Sequence, residues 1–198
     1  GGGGAVQSHG RERLQHVFAF ALLWGAAGGM DGAKRESLWA VMDGLGVPLP
    51  RIVPGESSTP WDFYVTPEGE WEMFRAAVRP WTCPPQEVPH LARVVVPTAD
   101  TVRYAWLLEM FSSRGAPALI AGPAGCGKSE AVRAFLRSQE GEAVCSKALC
   151  LQATTTPGLL HHLIEAGLEK RMGGKYGPPG GRQMLLFLDD LNAPEANE

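Results

Sequence analysis

Residues 122–129 read Gly122-Pro123-Ala124-Gly125-Cys126-Gly127-Lys128-Ser129, which is a complete G-x-x-x-x-G-K-[ST] phosphate-binding loop. Glycines let the backbone curl so that successive N–H groups point at the phosphates, and the helix that follows adds the positive end of its dipole. We expect Lys128 to reach the outer phosphates and the Ser129 hydroxyl to ligate Mg²⁺. The stretch therefore predicts a site for a polyphosphate and its metal ion.

The flanks of this loop have the patterns that such a site requires. Apolar residues 118–121 precede it and predict a buried strand, and residues 130–137 follow with apolar side chains at helical spacing. Strand-like stretches at 148–152 and 184–188 alternate with a helix that we expect to begin at Thr156 and Pro157. Strands alternating with helices imply an α/β fold with a parallel sheet and the ligand at the carboxyl edge of that sheet.

Two carboxylates, Asp189 and Asp190, end the last of these strands. Asp189 lies 61 residues after Lys128, which leaves room for a helix, a strand and another helix between them. We expect Asp189 to hold Mg²⁺ through water and Asp190 to polarise the attacking water. The alternative interpretation is that the two carboxylates cap a following turn.

The rest of the chain divides at its glycine-rich and proline-rich stretches. Residues 1–10 are predicted to be disordered, residues 11–80 to form a small, mainly helical domain, and residues 81–93 to be a linker. In the small domain we predict helices over 11–25, 34–44 and 70–78 and a strand over 61–65, and we expect the first helix to be buried on most sides. Residues 94–198 are predicted to hold the phosphate site and to open with a helix that Asp100 caps.

Composition and charge exclude several classes of function. The 198 residues carry a formal net charge of −3 without a basic run, which argues against a nucleic-acid partner. The most apolar segment, Val17 to Trp24, spans eight residues and is too short to cross a membrane, and we expect no secretory signal. The four cysteines have no paired spacing, so we expect reduced thiols and no cysteine metal site.

Several motifs together resemble the dynein heavy chain, a motor built from six tandem AAA+ modules in one polypeptide. These motifs are VPTADTVRY at 96–104, the phosphate loop, YGPPG at 176–180 and FLDDLNAP at 187–194. The apolar stretch 18–25 and Trp71 resemble the helical lid that closes the preceding module. Cytoplasmic dyneins usually end the acidic strand with Asp-Glu and lack the YGPP loop, so the pattern resembles the axonemal type.

The resemblance implies a fragment that covers the end of the second module and the start of the third. Residues 11–80 would be an AAA+ lid, and residues 94–198 the N-terminal part of a P-loop AAA+ large domain with an incomplete parallel-sheet core. The resemblance also implies that Val96, Pro97 and Thr98 lie against the adenine, and that the third module binds ATP or ADP with Mg²⁺ in a regulatory role.

The same resemblance implies partners and a location. The partners are the neighbouring AAA+ modules of the same heavy chain and, through the full motor, microtubules and the dynein intermediate and light chains. The location is the cytoplasmic cytoskeleton, in the axoneme of a cilium or flagellum.

Binding and turnover are separate predictions. Many ATPases of this type carry Glu where Asp190 stands, and a carboxylate that is one methylene shorter predicts slower hydrolysis with intact binding. Hydrolysis and permanent retention of the nucleotide are therefore both open. Outside the family, the alternatives are a free-standing P-loop ATPase or small-molecule kinase and a purely structural linker protein. The intact pair of Lys128 and Ser129 argues against the linker protein.

Overall fold

A computed structural model of the chain describes residues 3–53, 57–83 and 94–195, with the backbone alone for residues 3–8. The chain divides into two compact units, Gly1–Pro84 with Val96–Arg103, and Pro85–Val95 with Tyr104–Glu198. Each unit has its own apolar cluster. None of the helices in the described ranges combines the length and the apolar content that a membrane crossing requires.

The first unit pairs two helices with a small hairpin. Helix α1 (Gly3–Ala27) packs against α2 (Gly32–Gly44) and against strand β1 (Phe63–Val65). Strand β1 pairs antiparallel with β2 (Trp71–Met73). The core residues of this unit are apolar and come from both helices and the turn before β1: Leu23, Ala27, Met42 and Trp61.

Helix α1 differs from its prediction at its start and in its buried face. It begins at Gly3, inside the stretch 1–10 that we expected to be disordered, because extending an existing helix is far easier than starting one. Phe20 and Leu23 are buried, whereas Leu14 is 69% exposed and Phe18 is 63% exposed. The prediction that α1 is buried on most sides is therefore wrong, since one face alone supplies its core residues.

The second half of the hairpin replaces a predicted helix. Residues 70–78 form strand β2 followed by turns, although their apolar spacing suggested a helix. One cross-strand contact and one contact with a preceding loop explain the difference: the Tyr64 hydroxyl donates to Glu72 Oε2 over 2.6 Å, and the Trp71 indole N–H donates to the Pro48 carbonyl over 3.2 Å. Such tertiary contacts outweigh weak local helix preference.

The second unit alternates helices with a parallel pair of strands. Helix α3 (Ala99–Ser112), which begins in the first unit, is followed by α4 (Lys128–Gln139), β3 (Val144–Cys150) and α5 (Pro157–Glu165). A short antiparallel pair, β4 (Glu169–Lys170) and β5 (Tyr176–Gly177), leads to β6 (Gln183–Asp189). Strands β3 and β6 pair in parallel, from Val144 opposite Gln183 to Cys150 opposite Asp189. The predicted α/β fold with a parallel sheet is confirmed.

The segment before the phosphate loop is not the buried strand that its sequence predicted. Residues 118–121 have no assigned strand structure, and Leu119 is 82% exposed. A strand requires a hydrogen-bonded neighbour, and residues 118–121 do not join the sheet that β3 and β6 form. Ile120 still packs against the cluster of Val132, Phe135 and Leu136, which attaches the segment to α4.

Candidate nucleotide-binding site

The phosphate loop adopts a conformation that two of its glycines make possible. Gly125 has a φ of 78°, and Gly127, the N-cap of α4, has a φ of 85° and a ψ of 9°. An L-residue in this left-handed region costs about 1–2 kcal/mol. A Cβ placed on either glycine would meet no atom within 4 Å, so the requirement is one of backbone conformation and the space beside the loop is open. This arrangement places an open, glycine-lined turn at the N-terminus of a helix, which suits an anion.

The Lys128 ammonium contacts the first residues of the phosphate loop. Its Nζ donates to the carbonyl oxygens of Gly122 over 2.9 Å and of Pro123 over 2.6 Å. The Cys126 Sγ lies 3.7 Å from the same nitrogen. The positive charge is therefore held over the loop by neutral acceptors, which a phosphate oxygen can replace with a stronger, charge-assisted partner.

Ser129 and Asp189 are brought together, although 60 residues separate them in the chain. The Ser129 hydroxyl donates to Asp189 Oδ1 over 2.8 Å. Ser129 stands in the first turn of α4, and Asp189 is the last residue of β6, which packs against that helix. The Asp189 side chain is only 14% exposed. The two residues predicted to hold the metal thus place their oxygens side by side at the carboxyl end of the parallel pair.

Arg133 is a member of this cluster that the sequence analysis missed. Its Nη2 donates to Asp189 Oδ2 over 3.0 Å, and its Nη1 donates to Glu130 Oε1 over 2.8 Å. The hydrogen bond to Glu130, followed by the charge of Asp189, raises the pKa of Arg133 above its usual range. A signal was present in the sequence: Arg133 stands four residues after Ser129, so the two share one face of a helix.

Asp190 follows the strand with an unusual backbone conformation. Its φ is 54°, and among the described residues it is the single non-glycine in the left-handed region. Its carboxylate accepts a hydrogen bond from the Cys150 thiol at 3.6 Å. Partial desolvation and then this bond to Asp190 raise the pKa of Cys150. The water-polarising role of Asp190 stays a prediction. In this structure its carboxylate is hydrogen-bonded to Cys150, the last residue of β3.

Residues Val96, Pro97 and Thr98 lie directly before α3, in the first unit. Val96 is 53% exposed. Thr98 caps the helix, because its Oγ1 accepts from the Thr101 N–H over 3.2 Å while its own N–H donates to Thr101 Oγ1 over 2.7 Å. The cap is therefore Thr98, whereas Asp100, which we predicted for this role, forms an ion pair with Arg103. The adenine contact of these three residues stays a prediction.

The residues present fit a magnesium-bound nucleotide. The hydroxyl of Ser129 and the carboxylate of Asp189 are oxygen ligands of the kind that Mg²⁺ prefers, and they converge beside an open glycine loop with its own ammonium group. Among the described residues, no group of three or more His, Cys, Asp or Glu side chains is placed to hold a metal ion. In a bound complex, phosphate oxygens and water would complete the coordination, as is usual for Mg²⁺.

Comparison with known families matches both parts of the chain. Residues 5–76 match the family described as "Dynein heavy chain AAA lid domain". Residues 83–198 match the family described as "P-loop containing dynein motor region". The second match covers more than half of the chain and contains the phosphate loop, Arg133 and both carboxylates.

Curated relatives give the same result. The chain is 34% identical over 189 residues to "Dynein axonemal heavy chain 8" of Mus musculus, which covers 94% of this chain and 4% of the relative. It is 34% identical over 191 residues to "Dynein axonemal heavy chain 5" of Rattus norvegicus, and the match covers 94% of this chain and 5% of that relative. It is 33% identical over 190 residues to "Dynein gamma chain, flagellar outer arm" of Chlamydomonas reinhardtii, and the match covers 94% of this chain and 4% of that relative.

The chain thus spans about a twentieth of the length of these relatives or less. Their axonemal or flagellar names agree with the type that the YGPP and DDLNAP motifs resembled. The resemblance stated from the motifs is confirmed: the chain belongs to the dynein heavy chain family and carries the AAA+ lid domain and the P-loop motor region of that family.

Proposed function

We propose that this chain binds ATP or ADP together with Mg²⁺ at residues 122–129 and Asp189, as part of a regulatory AAA+ module of a dynein heavy chain. The observation that supports the proposal is the 2.8 Å hydrogen bond between Ser129 and Asp189, which brings a hydroxyl oxygen and a carboxylate oxygen together beside the phosphate loop. The family match supports the same function and favours it over a free-standing P-loop ATPase or kinase.

Each residue of the site has a distinct part in this proposal. The loop N–H groups and the Lys128 ammonium bind the phosphates, and Lys128 exchanges its contacts with the carbonyls of Gly122 and Pro123 for phosphate oxygens. Ser129 and Asp189 would hold the metal ion, Ser129 through its hydroxyl and Asp189 through water. A bound Mg²⁺ neutralises phosphate charge and orients the outer phosphate. Val96, Pro97 and Thr98 contact the adenine.

Hydrolysis at this site is proposed to be slow. Asp190 would polarise the attacking water, but its carboxylate accepts from the Cys150 thiol and its arm is one methylene shorter than that of Glu. A single-turnover measurement with labelled ATP tests this role. We expect slow release of phosphate that falls further in Asp190→Asn, whereas unchanged release in that variant would remove Asp190 from the mechanism.

The wider setting is proposed from the names of the relatives. We propose that the chain works within the third module of an axonemal motor, beside the other AAA+ modules of the same heavy chain. Through that motor it would act on microtubules and associate with dynein intermediate and light chains, in the axoneme of a cilium or flagellum.

The binding proposal is tested with a fluorescent ATP or ADP analogue titrated into the purified chain in the presence of Mg²⁺. We expect saturable binding that Lys128→Met weakens by at least about tenfold, because a charge-assisted contact to phosphate is lost. Lys170→Met is the matched control, since Lys170 is an exposed lysine in the short strand β4. Equal affinity of the Lys128 variant and the wild-type chain, or no saturable binding by the wild-type chain, would overturn the proposal.

A further inference from the structure

Arg133 forms hydrogen bonds to two acidic side chains, one of which is Asp189, a predicted metal-holding residue. It stands on α4 one turn after Ser129, with Nη1 bonded to Glu130 and Nη2 bonded to Asp189. The Arg133 side chain is 38% exposed, and that of Asp189 is 14% exposed. The contact between them is thus partly shielded from water, where an ion pair is stronger than on an open surface.

This contact completes the hydrogen bonding of the Asp189 carboxylate. Oδ1 accepts from the Ser129 hydroxyl at 2.8 Å and from the Asp190 N–H at 3.2 Å, and Oδ2 accepts from Arg133 at 3.0 Å. The guanidinium therefore lies on one oxygen of the carboxylate while Ser129 lies on the other. Both oxygens are oriented by groups from the helix that begins in the phosphate loop, together with one backbone N–H.

The Arg133 guanidinium supplies positive charge beside the carboxylates at the end of β6. Asp189 and Asp190 stand together at the end of β6, and a nucleotide would bring further negative charge to the same edge. Without a metal ion, the negative charges of the nucleotide and of the two carboxylates repel each other. Arg133 is the cation in direct contact with Asp189, so it offsets part of the repulsion.

We propose that Arg133 is a positioning residue that holds Asp189 against Ser129 and stands in for the charge of Mg²⁺, so that nucleotide binds this site with reduced dependence on the metal. The inference rests on the proposed nucleotide site and concerns how that site is tuned. The guanidinium stabilises the metal-free complex, and it competes with the metal ion for the same carboxylate. Removing it therefore makes binding more dependent on Mg²⁺.

The test compares the nucleotide dissociation constant of the chain in EDTA with the constant in saturating Mg²⁺. In Arg133→Met we expect the ratio of the two constants to rise by about tenfold, because metal-free binding then has no guanidinium beside Asp189, whereas in saturating Mg²⁺ the metal ion supplies the neutralising charge. Arg133→Lys retains the charge and should keep a ratio near that of the wild-type chain. Arg137→Met, one turn further along the same helix, is the matched control.

A second variant keeps the test decisive if Arg133→Met fails to fold. Glu130→Gln frees the guanidinium from its other acidic partner, so metal-free binding should tighten and the ratio should fall. If neither Arg133→Met nor Glu130→Gln moves the ratio while Lys128→Met still weakens binding, the Arg133 inference fails and the nucleotide site stands. If the wild-type chain binds no nucleotide, the proposed function itself fails.

Discussion

The substitution Gly127→Ala tests whether the conformation of the phosphate loop matters for binding. Gly127 has a φ of 85° and a ψ of 9°, and an added Cβ would meet no atom within 4 Å. The methyl group therefore fits, and the effect comes only from the left-handed backbone. We expect the free loop of the variant to relax, so that binding must restore a conformation that costs about 1–2 kcal/mol. That energy corresponds to an increase in the nucleotide dissociation constant of about 5- to 30-fold.

The assay is the titration with a fluorescent nucleotide in Mg²⁺, accompanied by thermal unfolding followed by circular dichroism. Gly158→Ala is the control, because Gly158 lies inside helix α5, where an added Cβ also meets no atom within 4 Å. We expect that control to bind normally and to be more stable by about 0.4–1 kcal/mol. A Gly127→Ala variant that folds and binds within about twofold of the wild-type chain would refute the reasoning.

Three further predictions concern the folded state. The hydrogen bond to Glu72 and then desolvation raise the pKa of Tyr64 from 10.0 to about 12, so the neutral phenol stabilises the fold below pH 10 and that stabilisation is lost as the pH rises through 12. Ultraviolet titration should show one late tyrosine that Glu72→Gln returns toward its ordinary pKa, and an unchanged curve contradicts this. Leu23→Ala should lower the free energy of unfolding in urea by about 3–5 kcal/mol, whereas Leu14→Ala on the exposed face of the same helix should change it by less than about 0.5 kcal/mol. Equal losses for the two leucines would contradict the assigned buried face. Thr156→Ala removes the side-chain cap of α5 and should lower the free energy of unfolding by about 1 kcal/mol. Thr156→Ser keeps the capping hydroxyl and should retain most of this stability.

The conformation of the candidate phosphate loop could be predicted from the sequence because its requirements are local. The loop needs glycines at fixed offsets from Lys128, and helix α4 begins where those offsets place it. The strand ending in Asp189 was also predictable, since an apolar run followed by acidic residues is typical of a strand that reaches a polar edge. The contact between Ser129 and Asp189 itself depends on how α4 packs against β6.

The errors arose where distant contacts decide local structure. Residues 118–121 are apolar enough for a strand, but their composition says nothing about which neighbour would hydrogen-bond to them. Residues 70–78 have helical spacing, yet the partners of Tyr64 and Trp71 favour a hairpin. Arg133 was missed for the same reason. Its position on the helix was evident, whereas its contact with Asp189 depends on how the helix packs on the sheet.

The most direct measurement of the central claim is an electron paramagnetic resonance titration of Mn²⁺, a substitute for Mg²⁺, in the presence of ADP. If Ser129 and Asp189 hold the metal at the mouth of the phosphate loop, the wild-type chain should bind Mn²⁺ as a protein–metal–nucleotide complex. The double variant Ser129→Ala, Asp189→Asn should leave the ion bound to free nucleotide alone. A double variant that forms the same ternary complex as the wild-type chain would contradict the account.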